Sequence, residues 1–142
     1  MPLPFPHHYN VSLEWLVDRN AKITTREGLA IEGAPPIEFD GPGHQWSPEE
    51  LLLSAIGLCF ITTFCSMAHK ENLSFHSFAC KVDGTLEKTK EGLNFTQYKI
   101  HSSISSQLAD REKTSALLAK AKKYCIVGNA LKIEPTLEIN FL

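Results

Sequence analysis

No block of lysine or arginine occurs anywhere in this chain, and its formal charge is −2 with a pI of about 6.3. Nucleic acid and anionic membrane surfaces call for a clustered positive field, so neither is expected as a partner. The opening MPLPFPHHYN has no basic n-region and no apolar h-region. No secretory signal is read there, and a cytoplasmic location is expected. Cysteine is scarce: Cys59, Cys65, Cys80 and Cys125 are all there are. In a reducing compartment they are expected to be buried, catalytic or redox-active, not a disulfide framework. Metal-ligand spacing is missing too, since the adjacent His7 and His8 have no Cys or His partner at a suitable interval, and no metal is expected. The chain shows no internal repeat and no low-complexity segment.

What is present is an ordinary globular composition, 43% hydrophobic and 21% charged over 142 residues. That length predicts one domain, residues 1–142, in which the Pro-rich residues 1–8 form a flexible or dimer-wrapping arm. The stretch Ser47 to His69 organises the rest. Ser47 can cap, Pro48 suits the first helical position, and Glu49 and Glu50 sit at the positive end of the helix dipole. From Leu51 to Ala68 there is no charge, and apolar residues cover every face. Such a helix is central to a domain or lies in a membrane. The run is barely long enough to span a bilayer and carries Ser54, Gly57, Thr62, Thr63 and Ser66, so a central buried helix is expected.

Around it the pattern alternates. Tyr9, Val11, Leu13, Trp15 and Val17 share a face, which predicts a half-buried strand. Asp18-Arg19-Asn20 reads as a turn, and 21–25 and 29–33 as short strands about Glu27-Gly28. Pro35-Pro36 and Gly41-Pro42-Gly43 punctuate a loop into the helix. Glu71-Asn72 ends that helix. Residues 73–86 and 93–105 predict a long hairpin, with Cys80 on the core face beside Phe78 and Val82. Asp110 is the expected cap of a second helix, whose Leu117, Leu118, Ala121 and Tyr124 form a stripe. Gly128-Asn129 marks a break, and 136–141 a last strand. Strands in runs and hairpins define an α+β fold. So few elements leave a wholly apolar helix short of cover, which points to a dimer.

Cys59 lies in the middle of the apolar helix. Cys65, six residues on, is turned by about 600° and faces elsewhere. Composition and spacing leave each thiol between packing and chemistry. Cys125 stands apart, at the expected end of the second helix beside Lys122 and Lys123. Cations lower a thiol pKa while a helix C-terminus opposes this.

The run Ser47-Pro48-Glu49-Glu50-Leu51-Leu52, followed by Ala55 and Gly57-Leu58-Cys59-Phe60, resembles the signature helix of the osmotically inducible protein C and organic hydroperoxide resistance (OsmC/Ohr) family. Tyr124-Cys125-Ile126-Val127-Gly128-Asn129-Ala130-Leu131 is similar to its second cysteine motif. The resemblance spans nearly the whole chain and implies an intertwined homodimer with antiparallel sheets wrapped around long central helices. It also implies a thiol peroxidase for organic hydroperoxides, with hydrogen peroxide as a further candidate, in oxidative-stress defence. Cys59 would be oxidised to a sulfenate and Cys125 would resolve it to a disulfide, reduced in turn by an external dithiol or lipoylated partner. No bound cofactor is implied.

Two more site residues follow from the resemblance. Arg19 would stabilise the thiolate and polarise the peroxide, with Arg26 and Lys22 as rivals, and Glu49 would hold the guanidinium as a bidentate partner. Ten helical residues put Glu49 ~15 Å along the axis from Cys59. Glu49 is therefore expected from the partner subunit. The family usually has Pro directly after the second cysteine and Ser two further on, where this chain has Ile126 and Gly128. That departure keeps open a second reading, a dimeric binding or stress-response module that has lost efficient peroxidase activity.

Overall fold

Short alternating segments and their turn residues build the first of two compact units, which extends to Leu51; the second runs from Leu52 to Leu142. The computed structural model describes residues 2–142. In the first unit β1 (Val11–Val17), β2 (Asn20–Thr25) and β3 (Ala30–Gly33) form an antiparallel sheet in that order. The turn after β1 needs a left-handed residue. Asp18 takes it at φ 52°, a conformation Asp tolerates, and the Trp15 indole donates to its carbonyl at 2.8 Å. Beyond β3 the Ala34 amide donates to the Trp46 carbonyl at 2.8 Å, folding the intervening loop back on itself. At Gly41 a Cβ would fall 1.7 Å from the Pro35 carbonyl oxygen, so only glycine passes there.

β1 forms where the alternation places it, but its expected half-burial is corrected. All seven residues are exposed, Trp15 at 71%, because nothing in a single chain covers either face.

Helix α1 (Pro48–Lys70) begins at the end of the first unit and continues through the second. The Ser47 hydroxyl accepts from the Glu50 amide at 3.1 Å and donates to the Glu50 carboxylate at 2.7 Å, so one side chain organises the first turn. Asn72, left-handed at φ 53°, closes the far end. Within one chain α1 is covered on one side only, the shortfall that so few elements lead one to expect. Ile56, Phe60, Phe64 and Ala68, four residues apart, make the buried stripe, together with Gly57. Ser54, Ala55, Leu58, Thr62, Cys65 and Ser66 form an exposed one, with Leu58 65% accessible.

Strands β4 (Ser77–Thr89) and β5 (Gly92–Ser105) make the long antiparallel hairpin, and Gly92 at φ 106° serves its turn. Helix α2 (Arg111–Lys123) and the one-turn α3 (Ile126–Asn129) carry the chain to β6 (Thr136–Phe141). β6 pairs with β5 in parallel, so this sheet is mixed, not antiparallel throughout. The intervening helices return the chain to the same end of the sheet, which is what parallel pairing requires. The buried stripe of α1 packs with Ile100 and Ile104 of β5 and with Leu117, Leu118 and Ala121 of α2. Phe60, Phe64 and Phe75 all meet Phe78, the closest pair with ring centroids 4.9 Å apart.

Two details of the second helix depart from expectation. The Asp110 side chain makes no cap; its carbonyl accepts from the buried Thr114 hydroxyl at 2.8 Å instead. Tyr124 falls off the stripe and is exposed, since α2 ends at Lys123. The break read at Gly128-Asn129 is the end of α3.

Candidate active site

Cys59 sits half-buried in α1, just before the buried Phe60, with Thr63 one turn later on the same face and its hydroxyl 4.0 Å from the sulfur. Cys125 is 2% exposed and lies between two helices. Its extended backbone, φ −66° and ψ 113°, ends one helix and starts α3, and its sulfur accepts from the Gly128 amide at 3.4 Å. Cys125 thus keeps the helix C-terminal setting expected for it, its amide donating to the Lys122 carbonyl at 3.3 Å, and adds an N-cap, a role Cys rarely advertises in sequence.

This arrangement places Cys59 and Cys125 near enough to shift each other's titration, with the amides of Ile126 and Val127 in the same neighbourhood. Burial alone pushes the Cys59 thiol up. The Val127 amide, the Cys125 thiol, the Thr63 hydroxyl and the Ile126 amide together outweigh it and hold Cys59 below an ordinary thiol. Cys125 moves the other way, first through burial and then because its proton is held by Cys59, against the opposing pull of the Gly128 amide. The pair therefore gives up its first proton from Cys59. Burial likewise raises Cys80, whose thiol points at the Gly57 carbonyl at 3.9 Å, and Cys65 is exposed on the open stripe of α1. Of the groups that lower Cys59, Cys125 was named through its motif and Thr63 carries a signal in its spacing of four along the helix; the two amides carry none.

Arg19 and Glu49 lie in the first unit, where both line an apolar cavity of about 360 Å³ with Leu13, Ile23, Phe39 and Trp46. Within one chain the described residues show no ion pair between them. Arg19 spends its two terminal nitrogens on the carbonyls of Phe39 and Asp40, at 2.9 and 2.8 Å, because the loop after β3 presents both oxygens together. One Glu49 oxygen, Oε2, is buried with no hydrogen-bond partner among the described residues. Of the rival cations, Arg26 is engaged by Glu27 and by the His8 carbonyl, and Lys22 is exposed on β2. Among the described residues no group of His, Cys, Asp and Glu is assembled as a metal site, and His7 instead meets the Leu3 carbonyl.

An apolar helix bearing Cys59, with the Cys125 thiol delivered by the chain leaving α2, defines a class of α+β proteins with a paired-cysteine centre. The OsmC-like protein family model matches residues 41–140, and the chain belongs to that family. Over 136 residues it is 29% identical to protein YmaD of Bacillus subtilis (strain 168), covering 89% of this chain and 87% of that one. Over 92 residues it is 28% identical to peroxiredoxin OsmC of Escherichia coli (strain K12), covering 65% and 64%. The fold matches an OsmC-like protein from Vibrio cholerae with a TM-score of 0.86 at 16% identity, over 94% of this chain and 99% of that one. It also matches an organic hydroperoxide resistance protein from Legionella pneumophila with a TM-score of 0.75 at 22% identity, over 96% and 98%. The OsmC-like fold is therefore established.

Proposed function

We propose that this protein is a cysteine-dependent peroxidase that reduces organic hydroperoxides. The observation that carries the reading is the neighbouring Cys59–Cys125 pair, in which the surroundings lower the Cys59 thiol and raise that of Cys125. The Cys59 thiolate attacks the terminal oxygen of ROOH, the O–O bond breaks, and the alkoxide takes a proton to leave as ROH. Cys59 is then the sulfenic acid. The Cys125 sulfur attacks it, an S–S bond forms, and the hydroxyl leaves with a proton as water. An external dithiol, free or lipoyl-borne, gives two electrons and two protons to restore both thiols and becomes a disulfide.

One OsmC-like domain, working as an intertwined cytoplasmic homodimer, is part of the proposal. The exposed apolar faces of β1 and α1 support it, because a partner would cover both. Glu49, with an unpaired buried oxygen, and Arg19 are assigned to the partner's Cys59 centre, where the guanidinium would steady the thiolate and the developing alkoxide.

Incubation with an organic hydroperoxide and excess dithiol tests the reading. Steady consumption that vanishes in Cys59→Ser is expected, and full turnover in that variant overturns it. After peroxide alone, mass spectrometry should find a loss of two hydrogens mapped to Cys59–Cys125. If no such disulfide forms, the binding-module reading takes its place.

A further inference from the structure

Helix α2 ends at Lys123 and α3 begins at Ile126, so Cys125 rides on the short turn between them. Main-chain bonds tie this residue to each helix separately. Its amide donates to the Lys122 carbonyl at 3.3 Å, and its carbonyl accepts from the Asn129 amide at 3.0 Å. Neither bond joins one helix to the other. The carbonyl of Lys123, the last in α2, is left over, because a helix cannot satisfy its own final acceptors. Asn129 supplies the donor: its carboxamide Nδ2 donates to that oxygen at 3.1 Å. Among the described residues this is the sole hydrogen bond from α3 to α2, and it closes residues 123–129 into a ring that contains Cys125. The ring is seated on the central helix. Cys125, Gly128 and Asn129 share a void of about 20 Å³ with Ile56 of α1 and Ile100 of β5, room for about one water.

We propose that Asn129 is a positioning residue for Cys125, its carboxamide holding closed the turn that presents this thiol to Cys59. Asn129 is exposed, so what it offers is the bond it donates and not a place in the core. Without that bond the ring opens, and the Cys125 sulfur spends less time where it can be used. The inference rests on the peroxidase reading for Cys125 as the resolving thiol, but its test uses no peroxide.

Asn129→Leu keeps the bulk of the side chain and removes the donor. Oxidised glutathione, added to the reduced protein, drives the two thiols together in two steps. The Cys59 thiolate attacks the glutathione S–S bond, a mixed disulfide forms, and one glutathione leaves. The Cys125 thiolate then attacks the Cys59 sulfur, the protein disulfide forms, and the second glutathione leaves. Acid-quenched samples read by mass spectrometry separate the glutathione adduct from the form that has lost two hydrogens. The lifetime of the adduct is the closure step alone, and a residue that only stabilised the fold would not alter it in protein that urea unfolding shows to be native.

Closure in Asn129→Leu should be slower by about two- to tenfold, the worth of one neutral hydrogen bond. Equal closure rates in the two proteins overturn the inference, and so does a wild type that holds the adduct and never closes. Should the variant fail to fold, wild-type protein labelled with 15N asparagine gives the answer. An Asn129 carboxamide proton that exchanges more slowly than in free asparagine supports the clamp, and exchange at the free rate overturns it. Slower closure in a protein that consumes no hydroperoxide keeps the inference and loses the peroxidase; steady consumption with equal closure rates does the reverse.

Discussion

Gly57, two residues before Cys59, is where α1 comes closest to β4, and replacing it with alanine sets two calculable effects against each other. In a helix interior Gly→Ala gains about 1 kcal/mol from backbone entropy. Here the added Cβ would stand 3.1 Å from Val82 Cγ2 and 3.4 Å from Cys80 Sγ. The second distance is ordinary contact; the first requires Val82 to yield. Val82 is β-branched and stiff at χ1, and its strand is paired at that point with the buried Ile100. Overpacking of this kind costs about 1–3 kcal/mol, so Gly57→Ala should be net destabilising by about 1 kcal/mol. In a Val82→Ala background the obstructing methyl is gone, and the same substitution should stabilise by up to about 1 kcal/mol. The double-mutant cycle in urea should therefore show a coupling of about 2 kcal/mol. Equal effects of Gly57→Ala in both backgrounds would refute the packing argument.

Phe64→Ala, at a fully buried position against Phe75 and Phe78, should cost about 3–5 kcal/mol in urea unfolding. The rate of Cys59 oxidation by hydroperoxide should rise with pH and level off below the range of an ordinary thiol. Cys125→Ala removes one donor and should move that midpoint upward, which stopped-flow measurement can follow. On the sheet surface His101 holds the Asp83 carboxyl below the usual range, with help from Lys81, and Lys99 does the same for Glu138. Depressed carboxylates stabilise the fold above their unfolded pKa near 4, and the benefit is lost as pH falls through the folded values. Melting temperature followed from pH 6 down to 2 should thus fall less steeply in Asp83→Asn with Glu138→Gln than in wild type.

Local chemistry made most of the secondary structure legible. Ser47, Pro48 and Glu50 announce the start of α1, and Asn72 its end, because caps act within one turn. Alternation located β1, but whether a face is covered depends on atoms far away in sequence, so Trp15 could be placed on a strand and not in a core. The uncharged run of α1 hid its two-sidedness for a similar reason: Ser54, Ala55 and Thr62 are too small and too mild to mark an open face. At the site, Cys59 and Cys125 stood out through the motifs that surround them. The amides of Ile126 and Val127 were not readable, since a main-chain donor has no letter of its own. Arg19 reads in sequence as a turn residue serving the thiol; in the structure it lines a cavity of the first unit and its partners are carbonyls, which sequence does not display either.

The parallel pairing of β6 with β5 gives this centre an order in time. Thr136 to Phe141 align beside Lys99 to Ile104, so the third strand of the sheet waits for the last residues to be made. At about 5–20 residues per second of synthesis, Cys59 emerges several seconds before Cys125. Cys59 and Thr63, its neighbour on the same helix, are thus made well before the segment around Cys125 that lowers the Cys59 pKa in the folded chain.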